Sequence, residues 1–155
     1  MEQIIQEYAN GSVVLQKSLE NLTVEQLNWR EHALGWSIKE IAIHVCDTEI
    51  VITHRLKQVI SDDNPLLISF DQNAWVTRQN SGQLDLQLNL EIYRLLRESM
   101  VPIFNSLQTD DWARTGVHNE AGLLTLNDLI HKSIQHTQTH IKQIQRVKDA
   151  NGLII

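Results

Sequence analysis

The chain has 155 residues, of which 42% are hydrophobic and 21% charged, and its formal net charge is −6. This length suits one domain with a sizeable core, and the residue balance is that of an ordinary globular protein. A mildly acidic chain without runs of like charge argues against nucleic acid or an anionic membrane as a partner. With one cysteine, no signal-peptide layout and no apolar run near the ~20 residues of a membrane span, we expect a single cytoplasmic domain over residues 1–155.

Four stretches of the chain have apolar residues at the three- and four-residue spacing of an amphipathic helix. They run from Ile4 to Leu22, from Ser37 to Val59, from about Leu84 to Leu107, and from Thr125 to about Asp149. Capping boxes mark the starts of the second stretch and of a short turn over residues 23–26, and Thr125 is a suitable N-cap for the fourth.

The connections between these stretches include two long ones, residues 61–83 and 108–124, with a helical turn expected around Trp75. Little of the sequence is typical of a β-strand. Four helices of about 20 residues, joined partly by long loops, predict an all-α fold, a four-helix bundle.

Polar residues interrupt the core face of the fourth helix. On a helical wheel, Ser133, Thr137 and His140 fall among its apolar residues, with His136 on the flank. Burying such groups without partners costs about 1–3 kcal/mol each, so something must satisfy their hydrogen bonds.

His136 and His140 are four residues apart, so their side chains project from one side of the helix about 6 Å apart along its axis. This is a recurring metal-chelating pair, although hydrogen-bonded histidines at this spacing are also common. His44, at the edge of the second apolar stripe, could supply a third imidazole from a facing helix. Three histidines suit zinc, nickel or another late first-row ion and leave room for water or substrate.

Other polar residues are weaker candidates. His118 and Glu120, in the connection before the fourth helix, could reach the mouth of such a site as catalytic groups. Cys46 points away from His44 and is expected to be a small core residue. Asp47 and Glu49 are expected to be solvated or to support the ligands from behind.

Two segments resemble the DinB-like superfamily: Trp36-Ser37-Ile38-Lys39-Glu40-Ile41-Ala42-Ile43-His44-Val45-Cys46-Asp47-Thr48-Glu49 and His136-Thr137-Gln138-Thr139-His140-Ile141-Lys142-Gln143-Ile144. Two more resemble its YfiT-type subgroup: Asn64-Pro65-Leu66-Leu67 followed by Phe70-Asp71-Gln72-Asn73-Ala74-Trp75, and Arg114 followed by His118-Asn119-Glu120-Ala121-Gly122. The similarity extends over about residues 5 to 148.

The resemblance implies a four-helix bundle, often a homodimer, in which His44, His136 and His140 coordinate one nickel or zinc ion. Members of this superfamily include metal-dependent hydrolases, thiol transferases that use bacillithiol or mycothiol, and a maleylpyruvate isomerase. The sequence therefore predicts an enzyme whose metal ion acts as a Lewis acid on a small thiol or on water. Two alternatives remain open: a non-catalytic, metal-stabilised dimerisation or small-ligand-binding module, and a metal-free bundle whose polar gap is filled by hydrogen bonds and buried water.

Overall fold

The computed structural model describes residues 1–153, and most of these residues are helical. The α-helices are α1 (Glu2–Leu19), α2 (Val24–Leu27), α3 (Ile38–Ser61), α4 (Gln72–Arg78), α5 (Leu86–Ser106) and α6 (Leu126–Ala150). The four long helices match the four periodic stretches and confirm the predicted bundle, while α4 contains the expected turn at Trp75. No helix in this range has the length and apolar character that crossing a bilayer requires.

The helix starts follow the capping chemistry of the sequence. Thr23, Ser37 and Thr125 each accept a hydrogen bond from the backbone N–H three residues later, and the side chain of that later residue accepts one in return. These reciprocal bonds satisfy backbone donors that a helix leaves unpaired at its first turn. The helices that carry the three candidate histidines, α3 and α6, therefore both begin at fixed positions.

The arrangement of the long helices is not sequential. Both α1 and α3 pack against α5 and α6, so α1 lies diagonally across the bundle from α3, and α5 lies diagonally across from α6. Consequently α3 and α6, which are remote in sequence, are neighbours along their length. Histidines on these two helices can face one another only because of this connectivity.

A small three-stranded sheet, absent from the prediction, joins the two long connections. Its strands are β1 (Leu66–Leu67), β2 (Thr115–His118) and β3 (Gly122–Thr125), with β2 in the middle, parallel to β1 and antiparallel to β3. Strands of two to four residues are too short to show alternation in sequence. Arg114, just before β2, donates hydrogen bonds of 2.9 Å to the carbonyls of Val59 and Asp62, which fixes the sheet against the end of α3.

The apolar core consists of two clusters with Arg97 between them. Tyr8 belongs to one cluster and Tyr93 to the other, and the Arg97 guanidinium lies 4.5 and 4.6 Å from their ring centroids. Gly11 provides the space for this side chain, because a Cβ at that position would lie 1.8 Å from Arg97 Nη1. The bundle therefore encloses a buried cation halfway along its core.

Glu49 was expected to be solvated or to support the ligands, but it is the buried counter-ion of Arg97 and its hydrogen bonds go to Tyr8, Arg97 and Ser133. The Arg97 and Glu49 side chains are 1% and 2% exposed, and Arg97 Nη2 lies 2.9 Å from Glu49 Oε2. The same Nη2 donates to the hydroxyls of Ser133 and Thr137 at 2.8 and 3.0 Å. Two of the polar residues on the α6 core face are thus satisfied by an ion pair, independently of any metal.

Asp47 was also expected to be solvated or to support the ligands, but it is only 6% exposed. Within residues 1–153 its Oδ2 has no hydrogen-bond partner. Burial raises the pKa of Asp47 to about 6. A raised folded-state pKa means that ionisation of Asp47 opposes folding, and the cost accumulates as pH rises from the ordinary pKa of 3.8 through 6.

Asp47→Asn is therefore expected to stabilise the protein above pH 7, by up to about 3 kcal/mol, since one pKa unit corresponds to about 1.4 kcal/mol. At pH 4 the variant and the wild type should differ little, because Asp47 is then largely neutral in the folded state and its ionisation costs little. Denaturant unfolding at pH 4 and pH 8 measures this difference. If Asp47→Asn changed the free energy of unfolding equally at both pH values, Asp47 would not be an uncompensated buried charge.

Candidate metal centre

The three histidines singled out from the sequence come together between α3 and α6. Nε2 of His136 lies 3.2 Å from Nε2 of His44 and 3.1 Å from Nε2 of His140. One ring nitrogen from each of the three lies within 4.8 Å of the other two, and no other group of three potential ligands in the described chain meets this criterion. The sequence predicted that His44 would lie close to the histidine pair on α6, and the structure places the three rings together.

The surroundings of the cluster keep its imidazoles neutral. Burial, helped by the nearby His140 ring, lowers the pKa of His44 and of His136 to about 3. The pKa of His140 is also lowered, again chiefly by burial. Neutral imidazoles have a nitrogen lone pair available at pH 7, which is the form that binds a metal ion.

The orientation of His140 is set from the side away from the cluster. Its Nδ1 lies 2.7 Å from Oε1 of Gln143, an acceptor, so Nδ1 carries the proton and the lone pair is on Nε2. His44 has a longer contact of 3.5 Å from Nδ1 to the Thr48 hydroxyl. Partners of this kind on the outer nitrogen are typical of metal-binding histidines.

The two nitrogen separations that involve His136 fit a tetrahedral ion. Ligands about 2.0–2.1 Å from such an ion are about 3.3 Å from one another. The separations of 3.2 and 3.1 Å from His136 to its two neighbours match this value. His44, His136 and His140 would hold the ion, and three nitrogens leave a fourth position for a water molecule or a substrate.

Aromatic rings form one wall of the centre. The Trp36 ring centroid lies 4.8 Å from that of His44, and the Phe70 ring centroid lies 6.5 Å from it. Phe70 in turn packs against Trp75 of α4 at 4.7 Å. These rings restrict water around the cluster and lower the local dielectric constant, which strengthens electrostatic interactions at the centre.

A polar cavity of about 410 Å³ opens beside His136. Its lining includes Thr48, Arg55, Ser69, His118 and Glu120. The small sheet produces this arrangement: β2 ends at His118, and the turn into β3 carries Glu120. Both residues predicted at the mouth of the site therefore lie beside it, and their roles in a reaction stay predictions.

The hydrogen bonds of His118 and Glu120 limit what each can do. Nδ1 of His118 accepts the backbone N–H groups of Glu120 and Ala121 at 3.2 Å, so its ring proton is on Nε2. Burial and the neighbouring Arg55 charge lower the pKa of His118. Glu120 accepts a hydrogen bond of 2.8 Å from the Ser69 hydroxyl through Oε1, which leaves Oε2 as a candidate proton acceptor.

A second cavity of about 350 Å³ lies on the other side of the cluster, beside His140. Leu34, Gly35 and Trp36 form its more apolar part, and Gln143 lies next to His140. Gln72 lines both cavities. The histidine cluster thus borders two spaces, one polar and one partly apolar, that meet near Gln72.

Sequence reasoning missed Arg55 as a site residue. Arg55 is eleven positions after His44, and eleven residues make slightly more than three full helical turns, so both lie on one face of α3. That register was the available signal. The remaining histidines, His32, His54 and His131, are exposed, and Cys46 is buried with a raised pKa because of that burial, as expected for a core residue.

Comparison with known proteins gives this geometry a context. The family model of the DinB superfamily matches residues 12–144. A protein of Oceanobacillus iheyensis, named provisionally as a metal-dependent hydrolase, is 25% identical over 91% of this chain and 84% of its own length. A Bacillus licheniformis protein with the same provisional name is 23% identical over 98% of this chain and 87% of its own length.

Solved structures show the same fold. YfiT from Bacillus subtilis, described as having an unusual four-helix bundle topology, superimposes with a TM-score of 0.91 at 20% identity, over 99% of this chain and 88% of YfiT. A mycothiol-dependent maleylpyruvate isomerase superimposes with a TM-score of 0.73 at 9% identity, over 92% of this chain and 60% of that protein. The family match covers most of the described helices and all three clustered histidines, so the chain belongs to the DinB superfamily.

Proposed function

We propose that this protein is a metal-dependent enzyme that transfers a small thiol to an electrophilic substrate. The observation that carries the proposal is the convergence of three neutral imidazoles on one point, with nitrogen separations of 3.1 and 3.2 Å. His44, His136 and His140 would hold one zinc or nickel ion. A bound ion of this class supplies Lewis acidity, which lowers the pKa of a coordinated thiol or water molecule.

The protein's own groups would bind and orient the reactants. The rings of Trp36 and Phe70 limit water near the nucleophile, which protects a thiolate from solvation. His118 and Glu120 line the cavity beside His136. In this proposal Oε2 of Glu120 would accept the proton that the thiol releases, and the Nε2–H of His118 would donate a hydrogen bond to a substrate oxygen. Proton transfer to a positioned side chain typically contributes about 10²–10⁴-fold to a rate.

Two features support thiol transfer over hydrolysis. The cluster borders two spaces, one beside His136 and one beside His140, which would accommodate a thiol and an electrophile on different sides of the ion. A solved structure with this fold is a thiol-dependent isomerase by its name. Hydrolysis of a small ester or amide is the second candidate, because the curated relatives are named provisionally as metal-dependent hydrolases.

The proposal is tested by incubating zinc- and nickel-loaded protein with small electrophiles and low-molecular-weight thiols, including bacillithiol. We expect loss of free thiol at least tenfold faster than with the His140→Ala protein, which lacks one of the three ligands and retains the polar cavity beside His136. Hydrolysis of esters or amides without thiol consumption would contradict thiol transfer and support the second candidate.

Turnover of neither substrate class would favour the non-catalytic alternative, a metal-stabilised dimerisation or ligand-binding module. Chelation separates the two roles. A catalytic centre is expected to lose activity on chelation while the bundle stays folded, since the two apolar clusters and the Arg97–Glu49 pair do not involve the ion. Collapse of the fold on chelation would indicate a structural ion. The mass of the protein in solution, with and without metal, tests the expected homodimer.

A further inference from the structure

Arg55 is a cation at the far end of the polar cavity. On α3 it follows His44 by eleven residues, which places its Cα about 16 Å further along the axis at 1.5 Å per residue. Helical side chains lean towards the N-terminus of their helix, so a long side chain at this position extends back towards His44. Thr48, between the two on the same face, lines the cavity together with Arg55 and His136.

The Arg55 guanidinium has few partners within the protein. Its Nη2 donates to the backbone carbonyl of Ile68. Its Nε is buried, and within residues 1–153 no acceptor is in hydrogen-bond range of that atom. Nor does any carboxylate of these residues form an ion pair with Arg55. Most donors of this guanidinium are therefore unused within the described chain, which points to a ligand that supplies an acceptor at its cavity side.

The charged groups that face Arg55 do not replace such a ligand. Glu120 lies near enough to act on Arg55 electrostatically, but its Oε1 accepts from Ser69. Asp71, also in the lining, accepts the Ala74 N–H at the start of α4 through Oδ1. A divalent ion and Arg55 together bring three positive charges against two negative charges from these carboxylates, so the loaded cavity attracts an anion.

We propose that Arg55 binds a carboxylate of the small molecule that occupies this cavity, and that Arg55 thereby determines which ligands enter it. The inference rests on the proposed function, because it places the reacting end of the ligand beside His136 and the carboxylate end at Arg55. The planar guanidinium suits a carboxylate, which it can bind through two parallel hydrogen bonds. The nearby Nε2–H of His118 provides a further donor on the same cavity wall.

Paired thiols that differ in one end group test this assignment. Zinc-loaded protein is titrated calorimetrically with ω-mercapto carboxylates of two to six carbons and with the mercapto alcohols of the same lengths. We expect the carboxylate of the best length to bind roughly tenfold to a hundredfold more tightly than its alcohol, the difference that charge-assisted hydrogen bonds produce. Arg55→Gln should abolish this preference, and Arg55→Lys should retain part of it.

Lys57→Gln is the matched control, because Lys57 lies on the same helix, carries the same charge and is exposed. It should keep the preference of the wild type. The preference is a ratio measured on one protein, so a loss of stability in the Arg55 variants does not by itself change it. Equal binding of carboxylate and alcohol by the wild type, or an unchanged preference in Arg55→Gln, would overturn the proposal.

A second measurement separates this proposal from the proposed function. If neither thiol series binds, thiol chemistry at the metal is contradicted, and Arg55 is tested alone with glutarate, a dicarboxylate without a thiol. Binding of glutarate is expected to move the ¹⁵N-detected Nε–H signal of Arg55 downfield while leaving the other arginine Nε–H signals in place. An unmoved Arg55 signal under saturating glutarate would overturn the carboxylate assignment.

Discussion

The His140→Ala protein is expected to bind zinc more than about a hundredfold more weakly than the wild type, since even loss of a residue that supports a ligand costs about 10–100-fold. His140 supplies one of the three ring nitrogens that converge between α3 and α6, and the two imidazoles that remain give too few ligands to hold the ion tightly. Competition with a chromophoric chelator measures the affinity. Elemental analysis should find close to one ion per wild-type chain and far less in the variant.

His131→Ala is the control for this prediction, because His131 lies on the same helix but is exposed. It should keep the full metal content. Gln143→Ala, which removes the acceptor for His140 Nδ1, should fall between the two, with a loss of about 10–100-fold. Equal and low metal content in all four proteins would contradict the metal centre and favour the metal-free bundle.

The sequence could predict this centre because helical spacing is a local property. Four residues between His136 and His140 place both rings on one side of a helix, whatever the fold. The contact with His44 is different, since it requires α3 and α6 to be neighbours, and spacing within a helix does not show which helices pack together. The family resemblance supplied that link.

The polar residues on the core face of α6 show what helical spacing alone cannot predict. Ser133 and Thr137 were grouped with the histidines because all of them interrupt one apolar face. In the structure their hydroxyls contact Arg97 of α5, which is buried against Glu49 of α3. A buried arginine cannot be told from an exposed one by its place in an amphipathic pattern, since most charged residues lie on the solvated face. The two groups of polar residues therefore have two separate causes.

The sheet was missed for a related reason. Its strands contain two to four residues, too short for a visible alternation, and β1 pairs with β2 across about fifty positions of the chain; only the short turn between β2 and β3 is a local signal. Gly116 is the residue that this packing requires, because a Cβ there would lie 2.9 Å from side-chain atoms of Leu67 and Val59. Without the sheet, nothing in the sequence determines how far His118 and Glu120 lie from the histidines, so only their general proximity to the site could be expected.

Arg97→Met is expected to destabilise the protein by about 3–5 kcal/mol, the usual effect of removing one partner of a buried ion pair. The variant leaves Glu49 charged and 2% exposed, without its cation. It also removes the donors to the Tyr8 carbonyl and to the Ser133 and Thr137 hydroxyls. Denaturant unfolding of the metal-free protein measures the change without a contribution from bound ion.

The matched control is Arg94→Met on the same helix, where Arg94 pairs with Glu91 and Glu98 at the surface. Exposed pairs contribute about 0–1 kcal/mol, so this variant should unfold almost as the wild type does. If both variants lost about 3 kcal/mol or more of unfolding free energy, the effect would come from substituting α5 and not from breaking the buried pair. If both lost little, the buried pair would contribute little to stability.

The double variant Arg97→Met with Glu49→Leu separates the charge from the packing. Removing both partners leaves no unpaired charge at this position, and a buried pair can often be replaced by apolar residues of similar size at little cost. Much of the lost stability should therefore return. We also expect Arg97→Met to weaken zinc binding and the double variant not to restore it, because Glu49 is on α3 and the hydroxyls that Arg97 contacts are on α6, the two helices that carry the histidines. Recovery of stability with a persistent loss of zinc affinity would mean that the ion pair positions the ligands, whereas recovery of both would make it a matter of core stability alone.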